Sequence, residues 1–270
     1  MQISVWSNMH GQGATSATTA AFASLIALKT AYKVLVSHNQ IERSALEGYF
    51  FSNPKPDTFS FPVLSNQGID ALIRLVQNGR LSPKMIADYT YSLLKNNRLD
   101  ILFGSFKKKR PEDETVYLKI IECAKNYYDF VLIDVHSGLG GATSLKILEN
   151  SDIIVFCLNQ NNLLLRDFRK IIDNNPSLRT KNAVYVISRY EKHSSMTVGN
   201  IARRFKLDKK AMFVIPENSA FLDALNNGRV FEYIAFAING KDGEEKVFTD
   251  SLARLFDHVI RGCSVECPER

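Results

Sequence analysis

The sequence predicts an α/β protein built on a doubly wound, mainly parallel sheet flanked by helices. Three observations carry this. Short continuous apolar runs recur along the chain, as strands covered on both faces require. Stretches with helical spacing of apolar residues lie between them. The first apolar run, Ile3, Val5 and Trp6, leads into Gly11-Gln12-Gly13 and then a segment free of helix breakers from Ala14 to Leu28, which is the order strand, glycine loop, helix. The chain has 270 residues, 45% of them hydrophobic, enough for one large core. It is read as a single domain over residues 1–262 with a tail over 263–270.

The elements follow in order. Lys33-Val34-Leu35-Val36 is a second buried strand, ended by Ser37-His38-Asn39-Gln40. Residues 41–51 can hold a short helix, and 52–66, with three prolines, form a loop. Ile69, Leu72, Ile73 and Val76 share one face of a helix over 67–78. Ser82-Pro83 opens a further helix expected to reach Leu94, since proline suits a first helical turn. Leu99–Phe103 is a short strand. The run Lys107–Arg110 follows it, and Pro111-Glu112-Asp113-Glu114 then starts a helix with acidic residues in its first turn. Phe130–Ile133, Ile153–Leu158, Val184–Ile187 and Met212–Ile215 are four more strands. Helices are expected near 163–173, 194–205 and 219–228. A last one spans 244–261, where Phe248, Leu252, Leu255, Val259 and Ile260 make an apolar stripe. The polar face of that helix carries Glu244, Glu245, Asp250 and Asp257, which favours docking on the core over anionic lipid.

The formal charge of +6 favours anionic partners, or else marks a solvated basic surface. Lys107–Arg110, and Arg203-Arg204 with Lys206 and Lys209-Lys210, carry the same two readings: DNA-backbone contact or solvated surface. Cys123 and Cys157 sit in apolar contexts as small core residues. Cys263 and Cys267 form a single pair without a second pair to complete a metal site, and read as a reduced tail. The start of the chain shows no signal peptide and no apolar run is long enough to span a bilayer, so a cytoplasmic location is expected. The aromatics Phe59, Phe61, Tyr89 and Tyr91 read as packing residues rather than a stacking platform.

Ligands of doubly wound sheets bind at the carboxyl ends of the strands. Gly11–Ser16, Ser37–Gln40 and Asp134–Gly138 end there. A glycine loop running into a helix N-terminus offers backbone N–H groups to a phosphate. The P-loop pattern G-x-x-x-x-G-K-[ST] is met at Gly13 and Thr15, but Asn8 stands at its first glycine and Ala14 at its lysine. Asp134 closes an apolar strand four residues before Gly138. It either holds Mg²⁺ with the Thr15 hydroxyl or caps the following turn.

These residues, in this order, resemble the MinD/ParA family of deviant P-loop ATPases. The segment Met9-His10-Gly11-Gln12-Gly13-Ala14-Thr15 is similar to the family's K-G-G-x-G-K-[ST], with Met9 at the signature lysine and Ala14 at the P-loop lysine. The family's D-x-D after the second strand falls on His38 and Gln40, or on Ser37 and Asn39, so no carboxylate stands there. Its D-x-x-x-G is met by Asp134 and Gly138, and Val214–Gly228 is similar to the segment where a strand ends near the base. The resemblance implies nucleotide contacts from Gly11, Gln12, Gly13, Ala14, Thr15, Ser16 and Pro216, and Mg²⁺ on Thr15 and Asp134. It implies ATP or ADP with Mg²⁺ as cofactors and a homodimer as the assembly. Without either lysine, slow or absent hydrolysis is expected. His10 is a weak, pH-dependent stand-in. Where relatives use an Asn for the base, this chain has Ser188-Arg189-Tyr190. Arg189 either meets base or phosphate or is a surface arginine.

Within the family the chain is most similar to the TadZ/CpaE branch, which includes atypical P-loops. That similarity implies a positioning or scaffolding role for a Flp/Tad-type pilus or secretion system, with a location at the pole or on the membrane through a partner. One rival is an active partition-type ATPase moving DNA cargo. Another is a dinucleotide-binding oxidoreductase, supported only by Gly11-x-Gly13. It lacks an acidic residue near the second strand's end before Glu42.

Overall fold

The computed structural model describes residues 1–40, 44–52, 67–105, 113–140 and 142–261. Strands and helices alternate through β1 (Gln2–Trp6), α1 (Thr15–Lys29), β2 (Val34–His38), α2 (Ile69–Gln77), α3 (Met85–Asp88), β3 (Tyr91–Leu94), β4 (Leu99–Ile101), α4 (Asp113–Lys125) and β5 (Phe130–Asp134). They continue through α5 (Ala142–Glu149), β6 (Ile153–Leu158), α6 (Asn162–Asn174), α7 (Pro176–Arg179), β7 (Ala183–Tyr190), α8 (Val198–Phe205), β8 (Met212–Pro216), α9 (Ser219–Asn226), α10 (Val230–Ile238) and α11 (Glu244–Arg261). Among the described residues the strands form one sheet in the order β3-β4-β2-β5-β1-β6-β7-β8. Only the β3–β4 pairing is antiparallel. The predicted architecture therefore holds, with one antiparallel edge.

The apolar runs form strands because both faces of the sheet are covered. Ile3, Val5, Phe130, Leu132, Ile153 and Val155 enter one core with the inner side of α1, α9, α10 and α11. Their alternates Trp6, Val131, Ile133, Ile154 and Phe156 enter a second core with α2, α4, α5, α6 and α8. This is the two-residue period of a pleated strand. Helix α1 is buried at every residue from Ala17 to Ala27. It lies between the sheet and the outer pair α10 and α11, and its small alanines let both approach. Helix α11 docks as its stripe predicts: Phe248, Leu252 and Leu255 are fully buried.

One departure from the sequence reading has a local cause. The helix expected from Ser82 to Leu94 is only one turn, α3, and Tyr91–Leu94 is the edge strand β3. Asn96 and Asn97 both adopt left-handed backbone. That is the requirement of a hairpin turn, and it carries the chain back into β4. Tyr91 keeps its packing role against Phe51 and Phe103. Helices α5 and α10 lie in segments that the apolar spacing alone does not assign. Phe59, Phe61, Lys107–Arg110, Cys263 and Cys267 lie outside the described residues. Cys157 is buried and Cys123 partly so.

Replacing Leu252 by alanine is expected to lower the unfolding free energy by about 2–5 kcal/mol, measured from the urea midpoint at constant slope. Val247→Ala, on the exposed side of the same helix, is expected to change it by less than about 0.5 kcal/mol.

Candidate functional site

The carboxyl ends of β1, β2, β7 and β8 converge on a cavity of about 330 Å³, a volume suited to a small-molecule ligand. One end is polar and is formed by the turn after β1. Gly11 takes a left-handed backbone, and Ala14 does the same just before α1. A side chain at Gly13 would stand 2.5 Å from Ser7 Oγ and 2.7 Å from the Cys157 carbonyl oxygen, so only glycine fits. No side chain caps α1, and the first helical bond runs from Thr18 N–H to the Ala14 carbonyl at 2.9 Å. The earlier amides of the helix thus have no partner within it. Ala14, Thr15, Ser16 and Ala17 line the cavity at this end. Turn, uncapped helix and dipole together make an anion receptor.

Asp134 sits beneath this turn, fully buried at the end of β5. Its Oδ2 accepts a 2.5 Å hydrogen bond from Ser16 Oγ and a longer one, 3.4 Å, from Gln40 Nε2. Its Oδ1 has no partner among the described residues. Burial drives the Asp134 carboxyl above its usual range, against the opposing pull of Ser16, His38, Thr15 and Gln40. A buried carboxylate oxygen left unpaired is costly. That orphaned oxygen, beside two hydroxyls, fits a divalent cation. Asp134, with Thr15 and Ser16, would hold Mg²⁺, which when bound would neutralise phosphate charge. The Ser16 hydroxyl meets the carboxylate directly, and the Thr15 hydroxyl also acts on it.

The end of β2 carries a polar relay. The Gln40 backbone N–H donates to His38 Nδ1 at 3.1 Å, leaving Nε2 to donate to Glu47 Oε1 at 2.6 Å. Glu47, from the 3₁₀ turn Glu47–Tyr49, also accepts from the Gly104 N–H at 3.1 Å. Burial would raise its carboxyl, but the His38 imidazole and the Gly104 amide outweigh that and hold it below its usual range. A side chain at Gly104 would fall 2.4 Å from the His38 ring, so the approach requires glycine. The carboxylate absent from the strand end is thus supplied from another element, one layer behind the cavity. Gln40 passes the contact forward: its Oε1 meets His136 Nδ1 at 2.9 Å, and Asn39 Oδ1 accepts from the His136 backbone N–H at 2.6 Å.

The other end of the cavity is apolar. Ile215, Pro216, Phe221, Leu225 and Phe248 line it, with Tyr49 and Ser188 beside them. Asn218 is used locally, where it caps α9 and accepts from Tyr233. The structure therefore brings Gly11, Ala14, Thr15, Ser16 and Pro216 to one cavity. Gln12 and Gly13 shape its turn without lining it, and Asp134 lies below. Sequence reasoning missed Glu47, Tyr49 and His136, because no spacing in the chain ties a turn after β2 to the end of β5. Arg189 also lines the cavity and reaches the glycine turn. Arg189 is nonetheless an exposed residue, so it is a surface arginine that also borders the cavity.

Two opposite pH dependences follow. A carboxyl raised on folding lowers stability as pH climbs through its folded value. Asp134→Asn should therefore gain stability over the parent at neutral pH, the gain shrinking as pH falls. Glu47 is lowered on folding, so its contribution is present above about pH 4.5, its unfolded value, and is lost in acid. Glu47→Gln is expected to cost about 1.5–3 kcal/mol at neutral pH, with the loss vanishing in acid. Urea unfolding across pH measures both.

No family model matches the sequence, and no curated protein matches it. Solved structures do match. A ParA family ATPase from Chlorobium tepidum TLS superposes with a TM-score of 0.71 at 16% identity, over 94% of this chain and 99% of that one. MinD from Pyrococcus horikoshii OT3, complexed with Mg-ADP, gives 0.65 at 17%, over 98% and 99%. An ATP complex of a Cyanothece McdA variant gives 0.64 at 18%, over 100% and 98%. Identities at this level speak for the fold alone. The chain has, over essentially its whole length, the α/β fold of the ParA and MinD ATPases.

Proposed function

We propose that the protein is a ParA/MinD-like positioning or scaffolding protein that binds an adenine nucleotide with Mg²⁺ and hydrolyses it slowly or not at all. The observation that carries this is the pairing of a built cradle with a missing ammonium group. The turn at Gly13 admits no side chain, and Ala14 stands where a P-loop places its lysine. A cation on the transferring phosphoryl group supplies orders of magnitude in rate, and neither Met9 nor Ala14 carries charge. Among the described residues no carboxylate lines the cavity at the end of β2, where His38 and Gln40 stand and Glu47 meets His38 instead. The Mg-ADP and ATP bound in structural neighbours support the choice of ligand.

The finer reading is a role in localising or assembling a Flp/Tad-type pilus or secretion system, as a homodimer that engages a component of that machinery. It rests on the resemblance to the TadZ/CpaE branch, which includes atypical P-loops. Among the described residues no helix is long and apolar enough to cross a membrane, so a position at a pole or membrane would come through a partner.

The test is equilibrium binding of labelled ATP with Mg²⁺, with turnover followed with and without DNA. Binding with negligible turnover is expected. Brisk hydrolysis removes the scaffolding reading, and DNA-stimulated turnover favours a partition-type ATPase. Ala14→Lys is expected to tighten ATP binding about tenfold or more, the worth of one charge-assisted hydrogen bond. A loop that gains nothing from the restored lysine does not have the geometry claimed for it.

A further inference from the structure

Arg189 is placed by a local irregularity. Strands β7 and β8 pair Ser188 with Ile215 and Tyr190 with Pro216, leaving Arg189 as the extra residue of a bulge. Its backbone is left-handed, φ 50°, which side-chain-bearing residues rarely adopt. Bulges beside sites commonly re-aim a side chain. This one sends the guanidinium across 177 positions of sequence to the glycine turn, where Nη2 donates to the Gln12 carbonyl at 2.9 Å and lies 3.5 Å from the Gly11 carbonyl. Asn159 Nδ2 donates to the same Gln12 oxygen at 3.1 Å.

The Gln12 carbonyl and the Gly13 N–H belong to one peptide group. Donors on its oxygen polarise it and make its N–H a stronger donor. Arg189 is also the only permanently charged cation among the described residues lining the cavity. None of the ion pairs among the described residues includes it. Its Nη1 and Nε make no hydrogen bond within that set, leaving charged N–H donors for phosphate oxygens.

We infer that Arg189 is the cation of this cradle. It stands in from the end of β7 for the ammonium group that Ala14 lacks, and it recognises the phosphate end of a nucleoside di- or triphosphate. The inference rests on the reading of the cavity as a nucleotide site. It assigns to phosphate a position from which a base contact was the alternative.

Arg189→Gly tests it with little risk to folding, because glycine accepts the left-handed backbone. Its melting temperature is expected to equal or exceed the parent's. A fluorescent ATP analogue, displaced in turn by ATP, tripolyphosphate and adenosine, reads the site. In Arg189→Gly, affinity for ATP and tripolyphosphate is expected to fall tenfold or more while adenosine is unaffected. Arg189→Lys should recover part of the loss, and adding Ala14→Lys to Arg189→Gly should recover most of it. Undiminished ATP affinity in Arg189→Gly overturns the inference, as does equal weakening of ATP and adenosine. A parent protein that binds neither ATP nor tripolyphosphate overturns the nucleotide reading itself, and this inference with it.

Discussion

The close approach of the Gly13 backbone to the ends of β1 and β6 is the constraint from which the site is built. With no side chain there, the turn packs on Ser7 Oγ and the Cys157 carbonyl. That contact sets where α1 begins and aims its uncapped first turn at the cavity. The helix can be held so only because it is buried along eleven consecutive residues between the sheet and the α10–α11 layer. The outer helices therefore stabilise the cradle as much as they stabilise the core, although none of their own charges enters it.

The site concentrates features that a purely structural region would not retain. Among the described residues, two of the five non-glycine residues with left-handed backbone, Ala14 and Arg189, border the same cavity. Such conformations cost of order 1–3 kcal/mol each and persist where the surroundings impose them. The other three have ordinary uses: Asn96 and Asn97 turn a hairpin, and Lys206 ends α8. Asp134 adds a buried carboxylate oxygen without a partner. Strain, an orphaned charge and an open anion receptor converge within one cavity. The equally buried Asp100 also leaves Oδ1 without a partner among the described residues, while Tyr128, Asn97 and Thr90 meet its Oδ2. None of those three lines the cavity, whereas Ser16 and Gln40, which meet Asp134, both do, and that combination sets the site apart.

Electrostatics around the cavity have been redistributed rather than removed. A carboxylate lies behind β2 through Glu47 and His38, and a guanidinium lies at the rim through Arg189. Glu47 comes from a turn nine positions beyond His38, and Arg189 from a strand 177 positions beyond Gln12. Held one layer back, Glu47 orients Gln40 and through it His136. It touches no cavity surface, so it can order the site without acting on a ligand directly.

The α/β class and the run of buried strands are legible in the residues alone, because continuous apolar segments between helical repeats admit few other arrangements. So are the glycine turn, the stripe of α11 and the strand-ending Asp134, since each is written within a few consecutive residues. Only the tertiary structure decided the rest. The pairing of β3 with β4 depended on two asparagines accepting left-handed backbone. Bringing the Ser16 hydroxyl onto Asp134 depended on where α1 starts. The joining of Glu47 to His38, and of Arg189 to Gln12, depended on sheet order and on a bulge. Contacts between residues 9 and 177 positions apart leave no periodic signal in a chain. They arise when the hydrophobic burial of the strands brings their carboxyl ends together.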